Sequence, residues 1–229
     1  MGRLGLILFL FMPTHDSPEP HYDDAFHSDV YTFANRGVRN AYASSVIVNA
    51  FSAGGGGASM GSGNYFQVWD KHFVLTAAHV IENKSEVFLT ERSGYTYKAR
   101  VAYIDKFKDI AILVAEEKMR FTKAVPYRPA NNIDVGREIF YCGNPNHMYF
   151  TSYHGRISGT TEQYILADTF AWPGSSGSVV FNDSGRVVGI VSSVALEAPT
   201  GVPVLVPHFV RLGPLMSLSK RQILELIRE

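Results

Sequence analysis

Cysteine is nearly missing from this chain. Cys142 is the single one among 229 residues, so no intramolecular disulfide can form and packing must stabilise the fold. It lies in an apolar run, which predicts a small buried side chain rather than a reactive thiol. An excess of charge is also absent, because 21 Lys and Arg residues balance 21 Asp and Glu residues. Since binding to phosphates needs a basic field, we expect no nucleic acid as the main partner.

Long hydrophobic runs are absent as well. The apolar run near the amino terminus, residues 4–12, is too short to cross a bilayer, so we expect no stable membrane span. It is either the core of a secretory signal or a retained segment, and no small-residue cleavage pattern follows it. The next residues, 13–36, lack sustained periodicity and are typical of an extended arm.

A compact metal-binding pattern is missing too. The arm contains several acidic and imidazole side chains, namely His15, Asp16, His21, Asp23, Asp24 and His27. Their spacing matches no compact zinc pattern, and ordering a flexible arm around an ion is unfavourable. We therefore expect these side chains to be solvated, and we predict that the protein needs no metal and no cofactor.

The pattern that is present is that of a β protein. Hydrophobic residues make up 46% of the chain, and from Ala43 onward short runs of β-branched and aromatic residues alternate with Gly, Asn, Asp and Ser. This pattern predicts an all-β fold, either a sandwich or a barrel. A stretch with charges and two prolines, residues 115–129, separates two such series. Residues 219–229 have apolar residues at helical spacing, with Ser217 or Ser219 available as the cap.

The most informative stretch is Trp-Pro-Gly-Ser-Ser-Gly-Ser-Val-Val at residues 172–180. Its glycines permit a tight turn in which backbone N–H groups point at one spot beside a serine hydroxyl. Ser176 is flanked as Gly-x-Ser-Gly, which makes it the candidate nucleophile, with Ser175 and Ser178 as its neighbours. A serine hydroxyl is a poor nucleophile at neutral pH and needs a base within hydrogen-bond reach.

Two upstream motifs supply that base and its partner. His79 follows the run Phe-Val-Leu-Thr-Ala-Ala, and because imidazole titrates near neutrality it is the candidate general base. Asp109 directly precedes the apolar run 110–113 and is the candidate acid that orients the imidazole. Asp105, four residues earlier, is the alternative.

These motifs, in the order His, Asp, Ser, resemble those of the trypsin-like serine endopeptidases. Three further stretches carry the resemblance, which covers roughly residues 40–212: Gly61-Ser62-Gly63, Gly143-Asn144-Pro145 and residues 189–192. Within this family, the chain most resembles the disulfide-free bacterial members, the HtrA-like and glutamyl-endopeptidase-like enzymes, in its sequence pattern. We expect no PDZ-sized region after the catalytic part.

The resemblance implies two six-stranded antiparallel β-barrels with the active site between them, and a C-terminal helix packed on the second barrel. The corresponding division is an N-terminal hydrophobic segment and arm at 1–39, a first barrel at 40–120, a second at 121–216 and the helix at 217–229. It also implies an oxyanion hole made by the backbone N–H groups of Gly174 and Ser176.

The resemblance further implies a set of substrate-binding residues, with Phe170 at the base of the primary specificity pocket. They are Phe170, Ala171, Ser192, Ser193 and Val194. None is charged, and a buried substrate Lys or Arg without a partner is unfavourable. We therefore expect small or medium uncharged side chains before the scissile bond.

The function so predicted is that of a serine endopeptidase acting on protein or peptide substrates through an acyl-enzyme. Two alternatives remain open: a proteolytically silent trypsin-fold binding or structural protein, and a viral maturation protease. A secreted or periplasmic location is expected, with virion-associated and cytoplasmic locations as alternatives. The sequence indicates no oligomeric state.

Overall fold

The computed structural model describes residues 32–55, 57–197, 204–214 and 218–228, without the side chains of 194–197 and 204–209. The apolar run 4–12 and the His and Asp residues of the arm lie outside the described residues. The helices are α1 Arg36–Ser44, α2 Ala78–Ile81 and α3 Lys220–Ile227, with 3₁₀ turns at Ala53–Gly55 and Pro145–His147. The strands are β1 Ser45–Phe51, β2 Ala58–Val68, β3 Lys71–Thr76, β4 Glu86–Thr90, β5 Thr96–Asp105, β6 Ile110–Ala115, β7 Val125–Pro126, β8 Glu138–Gly143, β9 Thr151–Thr160, β10 Ile165–Thr169, β11 Val179–Asn182, β12 Val187–Glu197 and β13 Val204–Pro214.

The first barrel consists of β1 to β6. Its strand order is β1-β4-β5-β6-β3-β2, and the antiparallel pairing of β1 with β2 closes it. Strand β7 adds two residues to β2 in parallel orientation. Large aliphatic side chains such as Leu75, Leu89 and Ile112 are fully buried in it. Burial of these side chains takes the place of disulfides as the main stabilising contribution.

The second barrel consists of β8 to β13. It is closed in the order β10-β13-β12-β11-β8-β9, and a separate cluster of buried residues fills it, including Ile139, Ile157 and Leu212. The prediction of two six-stranded antiparallel barrels is confirmed. Among the described residues, no helix is both long and apolar enough to cross a membrane.

Helix α1 is an element that the sequence analysis does not predict. Asn35 caps it, because its side chain accepts a hydrogen bond from the backbone N–H of Val38 at 3.0 Å. The helix packs on the second barrel, and at Gly37 an added Cβ would lie 2.3 Å from the backbone oxygen of Asn182. A side chain at residue 37 would therefore keep the helix from packing so closely on the barrel.

Helix α3 begins at the cap Ser219, one of the two predicted, which forms a capping box with Gln222. Its apolar face buries Ile223 and Ile227. The expectation that it packs on the second barrel is wrong. It lies against β5 of the first barrel, where the Arg100 guanidinium donates to the backbone oxygen of Ile227 at 2.8 Å. An arginine that satisfies a terminal carbonyl is a common way to anchor a helix end.

Cys142 lies fully buried on β8, as its apolar surroundings predict. Burial raises the pKa of its thiol. The neutral thiol is therefore the form present at physiological pH, and it is a poor nucleophile.

Asn64 on β2 links the two barrels through a fully buried side chain. Its Oδ1 accepts a hydrogen bond from the backbone N–H of Val179 on β11 at 2.8 Å. Its Nδ2 donates to the Ala41 carbonyl at 3.1 Å and to Ser44 Oγ at 2.8 Å, both on α1. One amide side chain therefore fixes the start of β11, just after the candidate nucleophile, relative to the first barrel.

Replacing Asn64 by Ala is expected to lower the free energy of unfolding by about 2–4 kcal/mol, because it leaves buried hydrogen-bonding groups without partners. Denaturant titration would measure this change. Asn49→Ala is the matched control, since half-buried Asn49 makes one 3.3 Å hydrogen bond to Thr90 Oγ1. Equal losses in the two variants would contradict the assigned role of Asn64.

Candidate active site

His79 lies at the junction between β3 and the short helix α2. Strand β3 ends at Thr76, and the next two residues, Ala77 and Ala78, are almost completely buried. Their small side chains let the turn pack closely against the barrel. The side chain of His79 is 46% exposed, so the ring faces the solvent side of the cleft.

Asp109 holds His79 by two hydrogen bonds. Its Oδ2 lies 2.8 Å from His79 Nδ1, and its Oδ1 accepts from the backbone N–H of His79 at 2.9 Å. Ser192 Oγ also donates to Oδ2, at 2.5 Å. Asp109 adopts a positive φ of 55° directly before β6, a conformation that Asp tolerates better than most side chains. This backbone turn aims the carboxylate at the histidine.

The environment of Asp109 keeps its carboxylate ionised. Burial by itself raises the pKa, but hydrogen bonds from His79 and Ser192 outweigh it and hold the pKa below its ordinary value. An ionised carboxylate can only accept hydrogen bonds. The proton of neutral His79 is therefore on Nδ1, which leaves Nε2 with a lone pair.

Asp105, the alternative acid, has different partners. Its Oδ1 accepts from the backbone N–H groups of Phe107 and Lys108, both at 3.0 Å. Its Oδ2 accepts from the Tyr103 hydroxyl at 3.3 Å. Asp105 thus shapes the turn between β5 and β6, and the geometry favours Asp109 as the partner of His79.

The candidate nucleophile Ser176 is the one serine of its loop that solvent reaches. It is half-buried, whereas Ser175 and Ser178 are at most 1% exposed. Gly177 has a φ of 90°, and an added Cβ there would lie 2.4 Å from Thr76 Oγ1. The loop therefore packs against the end of β3, just before the histidine. Among the described residues Ser176 Oγ forms no hydrogen bond to His79, and such bonds often tighten only with substrate.

Two backbone amides near Ser176 are available to an anion. Within the described part of the chain, the N–H groups of Gly174 and Ser176 donate to no other group. Gly174 has a φ of 102°, a conformation that favours glycine. The residues predicted to form an oxyanion hole thus have unused donors in one tight turn.

An open cavity of about 380 Å³ lies beside the histidine. It is lined by Ala78, His79, Glu82, Lys106, Asp109, Tyr164, Ser192 and Ser193. Two of the predicted substrate-binding residues, Ser192 and Ser193, are therefore brought together with His79 and Asp109. The hydroxyl of Ser192 points to Asp109, a role that the sequence analysis does not assign to it.

The other predicted substrate-binding residues do not line this cavity. Ala171 is 1% exposed, and half-buried Phe170 stacks between Tyr153 and Trp172, with ring centroids 5.5 and 6.5 Å away. The side chain of Val194 lies outside the described residues. No cluster of three or more His, Cys, Asp or Glu residues that could hold a metal ion occurs in the described ranges.

Two buried polar residues behind the nucleophile loop receive no role from sequence reasoning. Ser62 and Asn144 are both 0% exposed. Ser62 Oγ donates to the Gly174 oxygen of the loop, and Asn144 Nδ2 donates to Ser62 Oγ. The signal for them is their place in Gly-Ser-Gly and Gly-Asn-Pro, where a small polar residue stands beside glycine.

Asp109→Asn is expected to reduce turnover of an ester or peptide substrate by about 10⁴-fold, because an amide can stabilise the wrong tautomer of His79. Asp105→Asn is the matched control, since its amide oxygen can still accept the two turn N–H groups. Steady-state kinetics would compare them. Equal losses in the two variants would contradict the choice of Asp109.

The lowered pKa of Asp109 also predicts a pH effect on stability. A carboxylate whose pKa is depressed by folding stabilises the protein above its unfolded pKa of about 4, and this contribution is lost as the pH falls through the folded value. The stability difference between wild type and Asp109→Asn should therefore shrink in acid. Thermal unfolding at several pH values would check it, and a difference that grows below pH ~4 would contradict it.

Known proteins are similar to this chain in sequence and in fold. Protease Do-like 1 of Arabidopsis thaliana is 30% identical over 154 residues, which are 62% of this chain and 34% of that protein. A serine protease HhoA of Synechocystis is 29% identical over 159 residues, 64% of this chain and 40% of that protein. The chain thus spans roughly a third to two fifths of the length of these relatives.

A serine endoprotease from Yersinia pestis has a similar structure, with a TM-score of 0.66 and 25% identity over 87% of this chain and 68% of that one. An HtrA-type protease with a tripeptide shares the fold, with a TM-score of 0.65 and 19% identity over 83% and 60% of the two chains. The family model of the trypsin-like peptidase domain matches residues 61–190. On this match and on its two barrels, the chain belongs to the trypsin-like peptidase domain family.

Proposed function

We propose that the protein is a serine endopeptidase in which Ser176, His79 and Asp109 form the catalytic triad. The main support for this proposal is the pair of hydrogen bonds between Asp109 and His79. Asp109 Oδ2 lies 2.8 Å from His79 Nδ1, and Asp109 Oδ1 accepts from the His79 backbone N–H at 2.9 Å. This arrangement leaves Nε2 as the basic atom. The loop of the solvent-accessible Ser176 packs against Thr76 and Ala77, just before the histidine in the chain. No other arrangement among the described residues combines a nucleophile, a base and an orienting acid in this way.

Acylation begins when Ser176 Oγ attacks the carbonyl carbon of the scissile peptide bond. His79 Nε2 takes the hydroxyl proton, and the ionised Asp109 stabilises the imidazolium that results. The carbonyl oxygen becomes an oxyanion, which accepts hydrogen bonds from the N–H groups of Gly174 and Ser176. Collapse of this intermediate breaks the C–N bond, and the imidazolium returns the proton to the leaving amine.

Deacylation repeats these steps with water. His79 Nε2 removes a proton from a water molecule, whose oxygen attacks the acyl-enzyme carbonyl and forms a second oxyanion. Its collapse releases the carboxylic acid product, and the proton on His79 returns to Ser176 Oγ. The cycle needs no metal and no cofactor.

The substrate is proposed to be an extended peptide that pairs with β12. Strand β11 pairs with β12 only as far as Ile190, while β13 occupies the opposite edge of β12 at Ser193 and Val194. One edge of residues 192–194 is therefore unpaired within the described ranges, and an added strand can bind such an edge through its backbone. Phe170, Ala171 and Val194 are proposed to line the primary specificity pocket.

We further propose a secreted or periplasmic location. Relatives from Haemophilus influenzae and Rhizobium meliloti are named as periplasmic serine proteases. A cytoplasmic or virion-associated location, with a role in viral maturation, is the alternative that fractionation of the native source would reveal.

Ser176→Ala is expected to leave the fold intact and to reduce peptidase turnover on the order of 10⁶-fold, because it removes the nucleophile. Mass spectrometry after treatment with a serine-directed sulfonyl fluoride should show one adduct, on Ser176, in the wild type and none in the variant. Exposed Ser158 on β9 provides the control variant Ser158→Ala, which should retain full activity.

Two outcomes would contradict this function. Near wild-type cleavage by purified Ser176→Ala would show that another group is the nucleophile. A folded wild type that forms no adduct and cleaves no peptide would instead support the silent binding protein.

Cleavage specificity is expected to favour small or medium uncharged residues before the scissile bond, such as Ala, Val or Leu. The reason is that Phe170 and Ala171 offer no charge to pair with a buried Lys, Arg or Glu. A peptide-library profile read by mass spectrometry would measure this preference. A profile dominated by charged residues at that position would contradict the proposed pocket.

A further inference from the structure

Ser62 of the first barrel contacts two carbonyl groups of the nucleophile loop in the second barrel. Its backbone N–H donates to the oxygen of Ser176 at 2.7 Å, and its Oγ donates to the oxygen of Gly174 at 2.7 Å. Ser62 itself is 0% exposed. One residue of β2 thus binds the loop on both sides of Ser175.

The hydroxyl of Ser62 has no rotational freedom left. It accepts hydrogen bonds from the backbone N–H of Asn144 at 3.0 Å and from Asn144 Nδ2 at 2.9 Å. A serine hydroxyl has one donor and two acceptor positions, so the two Asn144 bonds use both acceptor positions. Its single proton must therefore point at the Gly174 oxygen.

Asn144 is itself held in place. Its Oδ1 accepts from the backbone N–H of Phe150 at 2.8 Å, and the residue is 0% exposed. Its backbone oxygen lies against Gly174, where an added Cβ would approach to 2.4 Å. Rotation of the Gly174 backbone is therefore limited by a hydrogen bond on one side and by close packing on the other.

The two unused N–H groups point away from carbonyls that are already bound. The Pro173 oxygen accepts from the backbone N–H of Asn146 at 2.9 Å, and the Ser175 oxygen accepts from the N–H of Ser178 at 3.0 Å. The described chain has no cis peptide bond, so in each peptide the N–H points opposite to its C=O. The N–H groups of Gly174 and Ser176 are thus directed away from Asn146 and from Ser178.

We propose that Ser62 and Asn144 are positioning residues that hold the oxyanion hole in its anion-binding geometry. This inference rests on the proposed endopeptidase function. Neither side chain contacts the substrate; both act through the Gly174 backbone. Preorganised donors are effective because they need no reorientation when charge develops on the carbonyl oxygen. The hole is therefore assembled from both barrels, although both of its N–H groups belong to the second.

The test is Ser62→Ala, which removes the donor to the Gly174 oxygen. The N–H of the same peptide, on Ser175, still donates to the Trp172 oxygen at 2.8 Å, so the peptide loses one of its two hydrogen bonds and is held less firmly. We expect turnover to fall roughly 10- to 100-fold, somewhat less than the ~10²–10³ typical of losing a donor outright. KM should change little, because the hole binds the developing oxyanion more strongly than the substrate. The pH dependence of turnover should keep its midpoint, since the His79–Asp109 pair is untouched.

Ser45→Ala is the matched control. Ser45 is 3% exposed, and its hydroxyl donates to the Cys142 oxygen at 3.3 Å without touching the nucleophile loop. Both variants lose a buried serine hydroxyl that donates to a backbone carbonyl. Ser62→Ala also loses the two hydrogen bonds from Asn144, so its thermal stability should fall further than that of Ser45→Ala. If Ser62→Ala fails to fold, Ser62→Cys has a similar shape with weaker hydrogen bonds, and it should fold with a smaller loss of turnover.

A readout independent of activity separates this inference from the proposed function. In ¹⁵N NMR spectra, Ser62→Ala or Ser62→Cys should shift the amide signals of Gly174 and Ser176, and Ser45→Ala should not. Unshifted signals, or a folded Ser62→Ala enzyme with the turnover of Ser45→Ala, would overturn the positioning role. Shifted signals in a protein whose wild type forms no Ser176 adduct would support the positioning role and refute the endopeptidase function.

Discussion

The candidate active site depends on the contact between β2 of the first barrel and the start of β11 in the second. Ser62 binds the carbonyl oxygens of Gly174 and Ser176, and Asn64 binds the N–H of Val179. The histidine and aspartate belong to one barrel and the serine to the other. The distances from Ser176 to His79 and Asp109 in the candidate triad are therefore set by how the barrels are joined. Buried hydrogen bonds between the barrels fix their relative position in direction as well as in distance.

The hydrogen bonds between the two barrels also explain how a chain without disulfides keeps a defined cleft. Apolar packing fills each barrel but is non-directional, so it does not by itself define a geometry within a fraction of an ångström. Buried polar groups whose hydrogen bonds are all satisfied do define such a geometry, because leaving any one of them unpaired in a low-dielectric interior is unfavourable. A further hydrogen bond between the barrels follows the same principle: the hydroxyl of Ser192, in the second barrel, donates to the Asp109 carboxylate, in the first.

Particular elements show what could be predicted from sequence. The motifs around His79, Asp109 and Ser176 are local, and their order along the chain suffices to propose a reaction class. The helix cap at Ser219 is also local, because a capping box needs only residues three apart. Helix α1 also has a local cap, at Asn35, but its packing on the second barrel depends on the close approach of Gly37 to Asn182, which lies far along the chain. The side on which α3 packs was wrongly expected, because Arg100, which binds its end, is 127 residues away.

The sequence by itself determined the β character of the chain, the absence of intramolecular disulfides and the identity of the candidate nucleophile and base. These follow from residue types and short-range spacing. Only the tertiary structure decided that Asp109 rather than Asp105 faces His79, that the hydroxyl of Ser192 donates to the Asp109 carboxylate, and that Ser62 binds the loop of the proposed oxyanion hole. Each of these depends on contacts between residues distant in the chain, and no local pattern encodes the direction in which a hydrogen bond across two barrels points.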